Sequence, residues 1–148
     1  MYLARMCNKL SNMFRYECTY LDLKSKLKQA MRYDGDSYKM FIYPIENSCR
    51  GIGETRALAK LSRKYKLPLL VPTGFQKYVY EHVKFKPYEV FCIDDRMNMR
   101  GKQFDIVLID DCFTIDEIND YVKPCCRVSV GVSSVDYSNT TFEYTIKG

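Results

Sequence analysis

The segment YKMFIYPIENSCRGIGETRALAKLSRKY, residues 38–65, predicts a strand, a turn and a helix in succession. Its first part, residues 38–45, is rich in aromatic and β-branched residues, as buried strands are. From residue 54 to residue 66 the apolar residues recur at the spacing of one helix face. These residues are Ala57, Leu58, Leu61 and Tyr65. The segment therefore predicts the start of an alternating α/β pattern.

The rest of the chain continues this alternation. Strands are predicted at 67–73, 88–93, 104–111, 127–133 and 141–147, and helices at 3–32, 74–83 and after Thr114 as capping residue. In the first helix the residues that recur at near-helical spacing are Leu21, Leu23, Leu27, Ala30 and Met31. We expect an α/β fold with a mainly parallel sheet and helices on both faces.

The length of 148 residues fits one domain spanning residues 1–148. Within it we expect an N-terminal helical segment at 1–35, an α/β core at 38–133 and a C-terminal strand at 134–148. No internal repeat or low-complexity segment divides the chain.

The glycine turn matches a phosphate-binding pattern only in part. The pattern is G-x-x-x-x-G-K-[ST]. In this frame Ser48 replaces the first glycine, Gly53 and Thr55 match, and Glu54 stands at the lysine position. Gly51 and Gly53 let the backbone present N–H groups to an anion at the positive end of the following helix. A carboxylate about 4 Å from a phosphate oxygen would repel it by about 4 kcal/mol at an effective dielectric of about 20.

A second element, FDIVLIDD at 104–111, has the form of a Walker B strand. Four apolar residues, 106–109, precede Asp110 and Asp111. In such strands the terminal acid holds Mg²⁺, and the next acid often activates water. If a nucleotide bound, Thr55 and Asp110 would hold the metal, and Asp111 would be the catalytic residue.

The stretches RGIGETRALAKLSRKYKLPLLVPT (50–73) and MRGKQFDIVLIDD (99–111) resemble small phage and bacterial P-loop ATPases. The resemblance spans about residues 38–115. It implies a P-loop NTPase-like fold, a degenerate Walker A and a phage or mobile-element origin. The cofactor-binding positions that it implies are Ser48, Arg50, Gly51, Gly53, Glu54 and Thr55.

Charge and cysteine usage bear on partners and location. Residues 1–75 carry 14 Lys/Arg against 6 Asp/Glu, whereas residues 76–148 carry 9 against 12. The seven cysteines form no C-x-x-C pair, and the N-terminus lacks the apolar core of a signal peptide. No apolar run approaches the length of about 18 residues that a transmembrane helix needs. We therefore expect free thiols and a cytoplasmic location, in the host if the chain is phage encoded.

Three functions remain open from sequence. The favoured one is a catalytically degenerate accessory protein, without a cofactor, that binds a larger protein or nucleoprotein complex. One form of it is an inhibitor of a bacterial defence nuclease, like an anti-CRISPR protein. The second is an active ATPase in which Arg50 replaces the lysine and Mg-ATP is the cofactor. The third is a nucleic-acid-binding module that uses the basic N-terminal half.

Overall fold

A six-stranded sheet lies at the centre of the computed structural model, which describes residues 2–45, 53–93, 101–111, 113–137 and 143–145, apart from the side chains of residues 8, 11, 12, 15 and 143–145. The strands are β1 (Lys39–Pro44), β2 (Pro68–Val71), β3 (Glu89–Cys92), β4 (Phe104–Ile109), β5 (Cys126–Ser133) and β6 (Glu143–Thr145). Their order across the sheet is β3-β2-β4-β5-β1-β6, and each of these pairings is parallel.

The helices are α1 (Tyr2–Arg32), α2 (Glu54–Tyr65), α3 (Gly74–Glu81) and the short α4 (Ile115–Glu117). The last continues as a π-helical turn, Ile118–Val122, and a 3-10 turn, Lys123–Cys125. Thr114 caps α4 as predicted, because its hydroxyl accepts from the Glu117 N–H at 3.1 Å and its own N–H donates to Glu117 Oε1 at 2.9 Å. The segment after this cap is not the regular α-helix that the sequence predicts. Pro124, which has no backbone N–H, lies in its final 3-10 turn.

The path of the chain decides which face each helix covers. From β1 through β2 to β3 the chain moves toward one edge, and right-handed crossovers place α2 and α3 on one face. From β4 to β5 it moves the other way, which places α4 on the opposite face. The two buried clusters agree with this arrangement: Leu58, Leu61, Leu69 and Val130 lie on the α2 side, and Met40, Ile109, Phe113 and Val122 on the α4 side. The predicted α/β class with helices on both faces is confirmed, and it is consistent with a P-loop NTPase-like fold.

The C-terminal half of α1 is part of the domain core. It contacts α2, β1 and β5 through five buried side chains, Tyr16, Tyr20, Leu23, Leu27 and Ala30. These follow an alternating spacing of four and three residues, which is one helix face. Leu21 and Met31, which belong to the predicted helical spacing, fall off that face and are 59% and 45% exposed.

None of the helices in the described ranges is both long enough and apolar enough to cross a membrane. The described cysteines, Cys7, Cys18, Cys92, Cys125 and Cys126, are all free thiols.

Candidate functional site

The two predicted motif elements meet at one edge of the sheet. Gly53, Glu54 and Thr55 lie at the start of α2, and Asp110 and Asp111 directly follow β4. Because all the strands are parallel and only β5 separates β1 from β4, both elements lie at the carboxyl edge, where open α/β sheets bind ligands. The remaining predicted positions, Ser48, Arg50 and Gly51, lie outside the described residues.

Gly53 forms a tightly packed turn at the start of α2. Its φ of 89° lies in the left-handed region, which side-chain-bearing residues rarely adopt. A Cβ placed on it would lie 3.1 Å from the Cβ and Cδ2 atoms of Tyr16. Its carbonyl accepts the first helical hydrogen bond, from the Ala57 N–H at 2.9 Å. The turn is therefore covered by α1, a contact that no motif predicted.

Glu54 is buried, with 8% of its surface exposed, in the first turn of α2. A carboxylate is favourable there because the helix N-terminus carries the positive end of the dipole. The negative charge of Glu54 also contributes to raising the pKa values of Asp110 and Tyr80. The side chain at this position is thus a carboxylate close to Asp110.

Asp110 is the most perturbed acid of the site. Burial raises its pKa to about 6, and the charges of Asp111 and Glu54 act in the same direction. The Asp111 backbone N–H and the nearby Tyr80 hydroxyl oppose the rise in the pKa of Asp110. The Asp111 N–H donates to Asp110 Oδ1 at 2.8 Å. Near neutral pH this buried carboxyl therefore carries a charge at a considerable cost in free energy.

Tyr80, from α3, completes a buried polar cluster that sequence reasoning missed. The side chain is fully buried, and its hydroxyl forms no hydrogen bond with any of the described groups. Asp110 and Thr55 are nonetheless near enough to influence its pKa, which burial raises well above the ordinary value. We call Glu54, Thr55, Tyr80 and Asp110 the acidic cluster. The only sequence signal for Tyr80 is its place on the core-facing side of a short amphipathic helix.

Asp111 is bound by protein groups. Its Oδ1 accepts from the Ser134 N–H at 2.7 Å and from the Ser134 hydroxyl at 3.0 Å. Its backbone carbonyl accepts from Gln76 Nε2 at 3.1 Å. These bonds join the end of β4 to α3 and to the segment after β5. The contact with Ser134 is a second feature that no sequence motif indicated.

Two further observations define what the site can bind. Arg56, the residue after Thr55, is exposed and lies with its guanidinium carbon 4.3 Å from the centroid of the Tyr16 ring. It therefore faces α1. In the part of the chain that the structure describes, no group of three or more His, Cys, Asp or Glu side chains is placed to hold a metal ion.

Comparisons of the chain with models of known protein families, with curated proteins and with solved structures found no match. The class of protein is therefore defined by the fold and the site together: a parallel α/β domain whose glycine turn and acidic strand end meet in a buried acidic cluster.

Proposed function

We propose that this protein is a P-loop NTPase-like accessory protein that does not hydrolyse nucleotides and acts by binding a partner. The observation that carries the proposal is the buried Glu54 carboxylate at the lysine position, close to Asp110, whose pKa is raised to about 6. The charged groups that raise the pKa of Asp110 are both carboxylates. Such a site disfavours the phosphates that a P-loop lysine would attract.

The cost of placing a triphosphate here has two parts. Repulsion between a carboxylate and a phosphate oxygen about 4 Å apart amounts to about 4 kcal/mol at an effective dielectric of about 20. The missing lysine attraction adds a term of similar size. Because every 1.4 kcal/mol is about tenfold in affinity, the two terms together favour loss of nucleotide binding.

The N-terminal half of α1 supports the partner-binding part of the proposal. Leu3, Met6, Leu10 and Met13 are spaced by three, four and three residues and are 43–75% exposed. This spacing is the seam of a coiled coil, which takes a second helix. We therefore propose that an amphipathic helix of the partner packs on this stripe. The stripe spans about 15 Å of α1, beyond the part that packs on the sheet.

Nucleotide binding is tested by thermal unfolding with and without millimolar Mg-ATP. We expect no change in Tm for the native protein, because a ligand stabilises only the state that it binds. Glu54→Lys restores the cation, and we expect Mg-ATP to raise the Tm of this variant. Glu54→Gln is the matched control, since it removes the negative charge without adding a positive one.

A rise in the Tm of the native protein with Mg-ATP, or turnover of ATP above background, would contradict the proposal. If Arg50→Ala abolished that rise, the alternative ATPase that uses Arg50 would replace it. Ser48, Arg50 and Gly51 lie outside the described residues, so this variant also tests the part of the loop that the structure leaves open.

Partner binding is tested by affinity purification from a bacterial host followed by identification of what co-elutes. Leu10→Glu places a charge in the apolar stripe and should abolish a specific complex. Lys9→Glu, on the same helix but outside the stripe, should retain it. Equal recovery with both variants would show that the stripe is not the binding surface. A cytoplasmic location, a phage origin and inhibition of a defence nuclease stay predictions.

A further inference from the structure

A cationic groove lies on the outer side of α2, the helix that also carries Glu54 and Thr55. We define the basic groove by four cations of α2, Arg56, Lys60, Arg63 and Lys64, and by the ring of Phe85. The cavity between them has a volume of about 650 Å³. A second cavity of about 360 Å³, bordered by Lys84, adjoins it at Arg56 and Phe85.

The four cations share one face because they follow helical spacing. Residues 56, 60, 63 and 64 are separated by four, three and one positions, so their side chains form a stripe about 12 Å long. All four are exposed. Among the described residues that line the cavity, Glu17 is the only acidic one, so this lining is strongly positive. A stripe of this kind attracts a polyanion.

Aromatic rings hold two of the cations in place. The Arg56 guanidinium carbon lies 4.3 Å from the centroid of Tyr16, and Lys60 Nζ lies 4.4 Å from that of Tyr20. Contacts of this kind are favourable cation–π interactions. In the described part of the chain none of the four cations forms an ion pair with a carboxylate. The charges of Arg56 and Lys60 are therefore positioned by α1, and all four cations are exposed to an anion.

The aromatic side of the groove indicates which polyanion fits. Phe85 is 42% exposed at the junction of the two cavities, where Lys84 Nζ lies 5.7 Å from its ring centroid. A groove that combines backbone-contacting cations with an exposed aromatic ring is the arrangement that binds single-stranded nucleic acid. An acidic protein segment would satisfy the cations but offers no flat base to the ring. We propose that the basic groove binds single-stranded DNA or RNA through its phosphates, with one base stacked on Phe85.

The nucleic-acid site goes beyond the proposed function, because it depends neither on the apolar stripe of α1 nor on the loss of nucleotide hydrolysis. Its failure is distinguishable, because the comparison of Glu54→Lys with Glu54→Gln reports on the acidic cluster, whereas a Tm shift with Mg-ATP that Arg63→Glu with Lys64→Glu abolishes reports on the groove. The probe is a fluorescently labelled 20-nucleotide oligothymidine, and the readout is anisotropy between about 50 and 300 mM salt. We expect binding with a slope of log K against log salt set by about 0.7 per phosphate contacted.

Charge reversal tests the location of the site. Arg63→Glu with Lys64→Glu should weaken binding at least about tenfold and reduce the salt slope by about 1.4, the value for two lost phosphate contacts. The control is Lys28→Glu with Arg32→Glu, which removes one Lys and one Arg from the other basic surface, at the end of α1. The control should bind within about twofold of the native protein. Both double variants must first show native circular dichroism and a cooperative thermal transition.

Phe85→Ala tests the base-stacking part. It should weaken oligothymidine binding by about 5- to 100-fold, the range for loss of one stacked base. Phe75→Ala, at an exposed ring of α3 outside the groove, should leave binding unchanged. Three results would each overturn the proposal. The first is no binding at about 50 mM salt, and the second is an equal loss of binding in the two charge-reversal variants. The third is undiminished binding by Phe85→Ala together with equally strong competition by polyglutamate. The last result would assign the groove to an acidic protein.

Discussion

Replacing Asp110 with asparagine should stabilise the protein at neutral and alkaline pH. The substitution keeps the shape of the side chain and an oxygen that can accept the Asp111 N–H, now at 2.8 Å. It removes a charge that burial makes costly. The pKa of Asp110 is raised from 3.8 to about 6. A difference of about two pH units corresponds to about 3 kcal/mol, at 1.36 kcal/mol for each unit.

The direction of the pH dependence of stability follows from proton binding by Asp110 in the folded and unfolded states. Between about pH 4 and pH 6 the folded protein keeps a proton on Asp110 that the unfolded chain has lost, so stability falls as pH rises through this window. Below it both states are protonated, and Asp110→Asn should change little. Above it the variant should exceed the native protein by up to about 3 kcal/mol, or by about 6 to 12 °C in Tm for a domain of this size.

The assay is thermal and guanidinium unfolding from pH 4 to pH 8, with EDTA in every buffer. Asp105→Asn is a control with the opposite sign, because hydrogen bonds from Arg127 lower the pKa of Asp105. This exposed carboxylate should stabilise the fold slightly at neutral pH, so its loss should not raise the Tm. If Asp110→Asn were destabilising at pH 8, Asp110 would be a favourably ionised group, and the account of an acidic cluster without a compensating cation would be wrong.

Three further substitutions test the elements around the site by thermal unfolding. Gly131→Ala should lower stability by about 1–3 kcal/mol or more, because a Cβ there would collide with the Ile109 carbonyl oxygen, whereas Gly74→Ala, with open space around it, should not. Tyr80→Phe removes a buried hydroxyl that forms no hydrogen bond in the described structure, so stability should hold or rise by about 1 kcal/mol. A clear loss of stability would show that this hydroxyl does form a hydrogen bond. Thr114→Ala should cost about 1 kcal/mol, and an unchanged Tm would show that the cap contributes nothing.

The fold could be predicted because its signals are local. The strand at 104–111 and the helix at 54–66 are seen as β4 (Phe104–Ile109) and α2 (Glu54–Tyr65), because apolar runs and helical periodicity report burial directly. The alternation of these elements then predicts a parallel sheet. The buried face of α1 could not be predicted, because several helical phases fit its apolar residues, and only contact with α2 and the sheet selects one.

Only those residues of the site that occupy fixed positions in a sequence motif could be predicted. Glu54 and Asp110 were found because their positions in two patterns are fixed. Tyr80 and Ser134 were missed, because their roles depend on which helix and which loop the topology brings to the same sheet edge. The cation–π contact between Arg56 and Tyr16 was missed for the same reason, since it joins residues 40 positions apart.

The packing of α1 against Gly53 gives the glycine turn a structural reason that does not involve a nucleotide. Glycine is favoured at position 53 for two reasons, the left-handed φ of 89° and the close contact with Tyr16, and neither of them involves a phosphate. Glu54 is compatible with the start of α2 because a carboxylate suits the helix dipole. Gly53 thus has a purely structural explanation. The lysine of the pattern would neutralise phosphate, and this chain has Glu54 in its place. A glycine turn that is held by its own N-terminal helix is therefore no evidence for a bound nucleotide, and the cationic chemistry of α2 lies on its outer face instead.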